Sequence, residues 1–402
     1  MLAREFRGHR LPDGLVKTTN KEVSVAGRDL ENLEVLKQKA LAHKRISADT
    51  WALVLPKAKP YAPGAGFDNM LFVAKEHTHV GNIGELSPQH LSEIFSMAEG
   101  VKEVYREQAD ADNPIVLETV AINFHEDPVP EKTFGKKLHA QTLKDLHVHV
   151  VGFQEQDVAD AAPLERNTVS KQEWRDLHDP FVALTEMLWK LPGVRNALLE
   201  GVRHLQPEDE VIMPGMTFTV DADTLSSVGV ANDLIQLHRN YLLLHDRFSG
   251  LFVDTSKQDS TGMPVLWEKN ERDRRIEEFV REQAGGVEVE DELLRRAHTW
   301  LRRTSRLMRS GENVQADASH PDEKIVFLRG PAYTLSILRQ PGSKQAIVNL
   351  SPRVLSSGNF LASLRLHKVV SGEVSPAWLA KRKTTEEAIT THFRAEATSA
   401  AA

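Results

Sequence analysis

The chain has 402 residues, 41% hydrophobic and 27% charged, an ordinary globular make-up with length for two or three domains or one two-lobed unit. A net charge of −7 argues against broad nucleic-acid binding, so an anionic ligand must meet a local positive patch. The absence of cysteine excludes disulfides and thiolate metal sites, and with no apolar run of transmembrane length and no signal-like core in Met1–Arg7 it makes the cytoplasm the simplest location.

Residues 1–27 carry no period and read as a loosely packed arm. Residues 28–44 read as a helix, with Leu30, Leu33, Leu36 and Leu41 on one face. Thr50–Leu55 is a strand stopped by Pro56, and Pro60–Gly66 is a loop. Met70–Ala74 is the next strand, leading into Lys75-Glu76-His77. Ser87 and Pro88 form a good helix start, and Leu91, Ile94, Phe95, Ala98, Val101 and Tyr105 continue it as one apolar stripe. Ile115–Leu117 and Val120–Asn123 read as strand. Residues 124–139 form a polar connection. Its His125, Lys132, Lys136, Lys137 and His139 suit either a solvated loop or contacts to a substrate.

Next comes Asp145-Leu146-His147-Val148-His149-Val150-Val151-Gly152, which alternates strictly. Asp145, His147 and His149 fall on one face of a strand, and Leu146, Val148 and Val150 on the other. Side chains two residues apart on a strand are roughly 6–7 Å apart. Two imidazoles and a carboxylate at that spacing could grip a phosphate or a metal ion.

Farther on, residues 170–205 read as mainly helical with a break at Pro192-Gly193. Val211–Val220 reads as a strand interrupted at Pro214-Gly215. Residues 231–248 are an apolar helix whose His238 and His245 share a face and suit core packing. Residues 269–284 and 288–309 read as charged amphipathic helices, the arginines of 295–309 as a solvated face. Strands are expected at 324–328, 333–338 and 346–350, a short helix from Asn359, and a poorly ordered tail from about Glu386.

The histidine strand resembles the signature of the histidine-triad (HIT) superfamily, three histidines alternating with apolar residues, with Asp145 in place of the first. Gln141-Thr142 resembles the Gln-Ser that often precedes that strand in small members. The order of elements over 28–153 resembles the HIT fold, and Ala74-Lys75-Glu76-His77 resembles the element that supplies a further phosphate-facing histidine. Asn123 falls where the family often has an asparagine at the end of the penultimate strand.

The resemblance implies an α+β fold: a HIT-like antiparallel sheet with packed helices over 28–153, a mainly helical region over 154–310, a strand-rich region over 311–385, and a tail over 386–402. The strand-rich region faintly resembles the second half of galactose-1-phosphate uridylyltransferases and dinucleoside tetraphosphate phosphorylases, which would make it a degenerate second HIT-like half. Small HIT proteins pair through their sheets, so a second half would supply that partner within one chain. The alternative is a homodimer.

The activity implied is that of a nucleotide hydrolase or nucleotidyltransferase. His147 would be the nucleophile, His149 and His77 would offset phosphate charge, and Asn123, Gln141 and Thr142 would contact a small nucleotide or other phosphorylated substrate. A histidine in the third position leans towards hydrolysis. That mechanism requires no cofactor.

Asp145 departs from the family pattern, because a carboxylate repels phosphate at close range. It would be tolerated by orienting His147, by pairing with Lys136, Lys137 or Lys144, or by joining His147 and His149 as a divalent-metal ligand. The alternatives to the nucleophilic enzyme are therefore a metal-dependent enzyme on the same face and a non-catalytic nucleotide-binding protein.

Overall fold

A computed structural model describes residues 30–56, 67–75, 80, 83–125, 146–154, 188–189, 191–207, 216–258, 264–285, 332–352 and 376–401. The protein is of mixed α and β type, built on a large antiparallel sheet with helices packed against it. Among the described residues no helix is long and apolar enough to cross a membrane.

Helix α1 (Leu30–Lys39) ends earlier than the leucine pattern suggests. The chain then enters β1 (Ala42–Arg45), which pairs with β2 (Thr50–Leu55). The short hairpin between them is closed by the Ile46 and Ser47 amides donating to the Thr50 carbonyl. The sequence Ala-His-Lys-Arg has no strand signature of its own; pairing with the β-rich Thr-Trp-Ala-Leu-Val-Leu decides its conformation. As an edge strand it carries His43, Lys44 and Arg45 exposed, a composition that discourages further pairing.

Strand β3 (Phe67–Lys75) follows, then α2 (Pro88–Gln108). Ser87 caps α2 as its sequence suggests, its hydroxyl accepting from the His90 amide at 3.2 Å. Strand β4 (Ile115–His125) is one continuous strand, and β5 is His147–Gln154.

The later elements are α3 (Pro192–Leu199), β6 (Gln206–Pro207), β7 (Met216–Asp221), α4 (Val228–Phe252), β8 (Val253–Gln258), β9 (Pro264–Leu266), α5 (Lys269–Gln283), β10 (Ala332–Arg339), β11 (Gln345–Pro352) and α6 (Pro376–Ala401). Leu188 and Trp189 are helical and Leu191 is extended, so the helical run is interrupted next to Pro192-Gly193 as expected, and the pair starts α3 because proline suits the first helical turn. The expectation of a poorly ordered tail from Glu386 is overturned. That segment belongs to α6, where Ile389 is fully buried and Phe393 packs against α2. The expected elements at 288–309 and 324–328 and the helix from Asn359 lie outside the described residues.

Among the described residues nine strands form one sheet in the order β1-β2-β3-β5-β4-β10-β11-β7-β6, and β8 and β9 pair separately. The order contains a repetition. Residues 50–154 run strand, strand, helix, strand, strand, and so do β6, β7, α4, β10 and β11 when the β8–β9–α5 excursion is set aside. In the sheet the first set lies β2-β3-β5-β4, and the second lies β6-β7-β11-β10 when taken from its own edge. The two sets meet at an antiparallel seam between β4 and β10, from Glu118↔Arg339 to His125↔Ala332. Strands β6 and β7 come from 154–310 and β10 and β11 from 311–385, so a boundary at 310 cuts through one sheet.

The middle of one face of this sheet is apolar. Val148, Val150, Val120, Ile122, Leu335, Ile337, Val348, Leu350 and Phe218 are all buried there in the main core, together with residues of α2 and α4. A long charged network lies beneath the seam. Lys102 of α2, 2% exposed, reaches Glu99 at 2.5 Å and Glu118 of β4 at 3.6 Å. Arg106 grips the same Glu118 carboxylate with two nitrogens at 2.5 and 2.6 Å.

Candidate functional site

Strand β5 is an inner strand, flanked by β3 and β4 and buried along its whole length. The alternation dictates which side chains share a face. Leu146, Val148 and Val150 join the main core, so His147 and His149 project from the opposite face. Register places His147 between Phe72 and Asn123, and His149 between Met70 and Ala121. Phe72 and Met70 belong to a second, smaller apolar cluster with Leu33 and Leu36 of α1. Helix α1 thus covers the outer part of the histidine face, and the two imidazoles stand just beyond that cover.

The rings are neighbours. Their centroids are 5.3 Å apart and their planes 87° to one another, an edge-to-face arrangement. His147 is 7% exposed and His149 2%. The strand that carries them is fixed from below by Tyr105 of α2, whose hydroxyl lies 2.8 Å from Asn69 Oδ1 and 3.0 Å from the Val150 carbonyl oxygen. Burial, with the Asp68 charge adding to it, pushes the Tyr105 pKa well above its ordinary value, so it is a neutral donor here. Gly152, the glycine that closes the motif, makes this approach feasible. A Cβ there would meet the Tyr105 ring at 3.1 Å and Ile115 at 3.2 Å.

Of the residues singled out in the sequence, the structure brings together His147 and His149, with Asn123 opposite His147 in the register of β4. Asp145, His77, Gln141 and Thr142 lie outside the described residues, as do Lys132, Lys136, Lys137, His139 and Lys144. Among the described residues no group of three or more His, Asp or Glu is placed to hold a metal ion. The ligand set considered above includes Asp145 and is therefore not addressed by that observation. His238 of α4 is 1% exposed, in keeping with its reading as a core histidine.

The histidine face also carries residues that no motif marks. Asp68 of β3 stands opposite Val151 and is 5% exposed. Thr119 of β4, Ser336 of β10, Asn349 of β11 and Thr217 of β7 are 2%, 4%, 1% and 6% exposed. Register carries the row straight across the sheet from His149 through Ala121, Ser336 and Asn349 to Thr217. Their polarity was visible in the sequence. Their alignment with the histidines depends on which strands become neighbours.

No family model matches this chain, and neither a curated protein nor a solved structure matches it.

Proposed function

We propose that this chain is a nucleotide hydrolase or nucleotidyltransferase that works through His147 at a phosphoanhydride, phosphoester or phosphoramidate. The observation that supports it most is the pair of buried imidazoles standing side by side on one face of an inner strand. The two-part sheet, joined edge to edge at the β4–β10 seam, agrees with a HIT-like pairing of halves inside one chain.

In this reading a neutral His147 nitrogen attacks the α-phosphorus. The bond to the leaving group breaks, and the leaving group departs with the electron pair and takes a proton. A nucleotidyl-histidine results. Water or another acceptor then attacks the same phosphorus, the P–N bond breaks, and the imidazole is restored. His149, one step along the strand, donates to a non-bridging oxygen as negative charge builds there. A small nucleotide or phosphorylated compound is the partner, and no cofactor takes part in these steps.

Intact-mass analysis after mixing the protein with a dinucleoside polyphosphate tests this. The expected result is a one-nucleotide adduct that His147→Ala abolishes together with turnover. His149→Ala should slow turnover by about 10²–10³ while His147 still takes up the nucleotide. An adduct that persists in His147→Ala rules out the assigned nucleophile. Turnover that stops with a chelator and returns with a divalent ion would favour the metal-dependent alternative through Asp145, His147 and His149. Nucleotide binding without turnover would favour the non-catalytic one.

A further inference from the structure

The charged network beneath the seam satisfies its members unequally. Glu118 of β4 and Arg339 of β10 are cross-strand partners, a placement that invites an ion pair between them. Glu118 is already taken. Arg106 grips both of its oxygens, and Lys102 lies 3.6 Å from one of them. Arg339 is left with two more distant acids. Its Nη1 lies 4.0 Å from Glu99 Oε2 and its Nη2 3.7 Å from Asp223 Oδ1, both beyond hydrogen-bond length. Its Nε is buried and has no hydrogen-bond partner among the described residues. A guanidinium carries five donors in a rigid fork, and leaving them unmade costs free energy. With the side chain 18% exposed, most of that fork is withdrawn from bulk water.

We propose that Arg339, with Arg106 beside it, forms a binding site for a small phosphate-type oxyanion at the seam. The site lies on the opposite side of the sheet from the histidines, because Glu118 and Arg339 alternate in step with the core residues Val120 and Ile337. It goes beyond the nucleotide reading and does not depend on it. Arg106 Nη2 and Arg339 Nη1 stand 3.9 and 4.0 Å from the same oxygen, Glu99 Oε2, so they are no more than about 8 Å apart. One oxyanion making charge-assisted contacts of about 2.8 Å to each side fits that span, and paired oxygens match the fork of Arg339. Two carboxylates oppose it. Glu99 is matched on its other oxygen by Lys102 at 2.5 Å. Asp223 is 81% exposed and has no other ion-pair partner among the described residues, so it is the group an incoming anion displaces. The two arginines come from different halves, so the bound ion ties β10 to α2 across the seam.

Calorimetric titration of the full chain at constant ionic strength, with inorganic phosphate and with ethyl phosphate as probes, tests this. Saturable binding is expected, and the tighter probe tells a free ion from a phosphate carried on a larger molecule. Arg339→Gln keeps a polar stem of similar reach and should weaken binding at least about tenfold. Asp223→Asn removes the competing charge and should tighten it about twofold to fivefold. Asp223 is exposed, so this second variant tests the displacement even where Arg339→Gln folds poorly. The Arg339-dependent binding should persist in His147→Ala, which separates it from any phosphate held on the histidine face. Heats that never saturate, an affinity that survives Arg339→Gln, or an affinity that Asp223→Asn leaves unchanged or weakens would overturn the site. So would binding that disappears in His147→Ala. Each of these outcomes leaves the nucleotide reading in place.

Discussion

His238 is a histidine whose titration is set by its place in the core. It lies in α4 with 1% of its surface exposed, and burial, with the Arg239 charge adding to it, pulls its pKa from 6.5 down to about 3. Below pH 6.5 the unfolded chain takes up a proton that the folded chain refuses. Stability from this group is therefore intact above pH 6.5, falls as the solution is acidified, and is fully lost near pH 3. The slope is about 1.4 kcal/mol per pH unit inside that window. Urea unfolding from pH 7 to pH 4 should show it, and His238→Gln should flatten it by about one proton's worth. Equal slopes in the two proteins would mean that His238 titrates normally. The histidine pair was legible in the sequence for a geometric reason, since residues two apart on a strand share a face whatever the rest of the fold does. Thr119, Ser336 and Asn349 were not legible as a set. Each is an ordinary strand residue until β10 pairs with β4 and β11 with β10, and no local pattern announces those long-range pairings.

Among the elements, the strongly periodic ones were readable. The stripe of α2 with its Ser-Pro start, the apolar run of α4, and the strands β2, β10 and β11 follow from spacing, because hydrophobic burial acts on every turn or every second residue. The elements that failed are governed from a distance. Strand β1 exists because β2 pairs with it, and the end of α6 is ordered because it packs on α2. A related dependence holds at Glu118, the carboxylate shared by Lys102 and Arg106. Hydrogen bonding to that carboxylate, set against partial burial, raises the Arg106 pKa further. Arg339 of β10 reaches Glu99 at 4.0 Å and Asp223 at 3.7 Å, so the network links both halves. Glu118→Ala would leave the deeply buried Lys102 with weakened compensation. It should cost about 3–5 kcal/mol in denaturant unfolding. A loss under about 1 kcal/mol would place this network with the weak surface pairs.

At the scale of the whole molecule, the sheet is continuous from β1 to β6, and its middle is the seam between two similarly built halves. Helix α6 then returns from the end of the second half to the first. Lys381 donates to Gln154 at the end of β5 and lies 4.3 Å from the Phe67 ring centre. Phe393 occupies the space that Gly100 leaves open on α2, where a Cβ would come within 3.0 Å of its ring. Shortening the chain to end at 375 should therefore destabilise the first half, although every strand is kept. Ile389→Ala, at a fully buried position, should cost about 2–5 kcal/mol and report the same contact more gently. A truncated chain that melts like wild type would show that α6 is dispensable. The return of α6 also sets an order in time. The strands of the first half have left the ribosome once residue 154 is clear, but the helix that closes over α2 is made much later. At about 5–20 residues per second, the roughly 250 residues between them take on the order of 12–50 s to synthesise. For that interval the nascent chain holds its histidine strand in a half-domain whose outer helix is uncovered, and a chaperone that shields apolar surface has its window there.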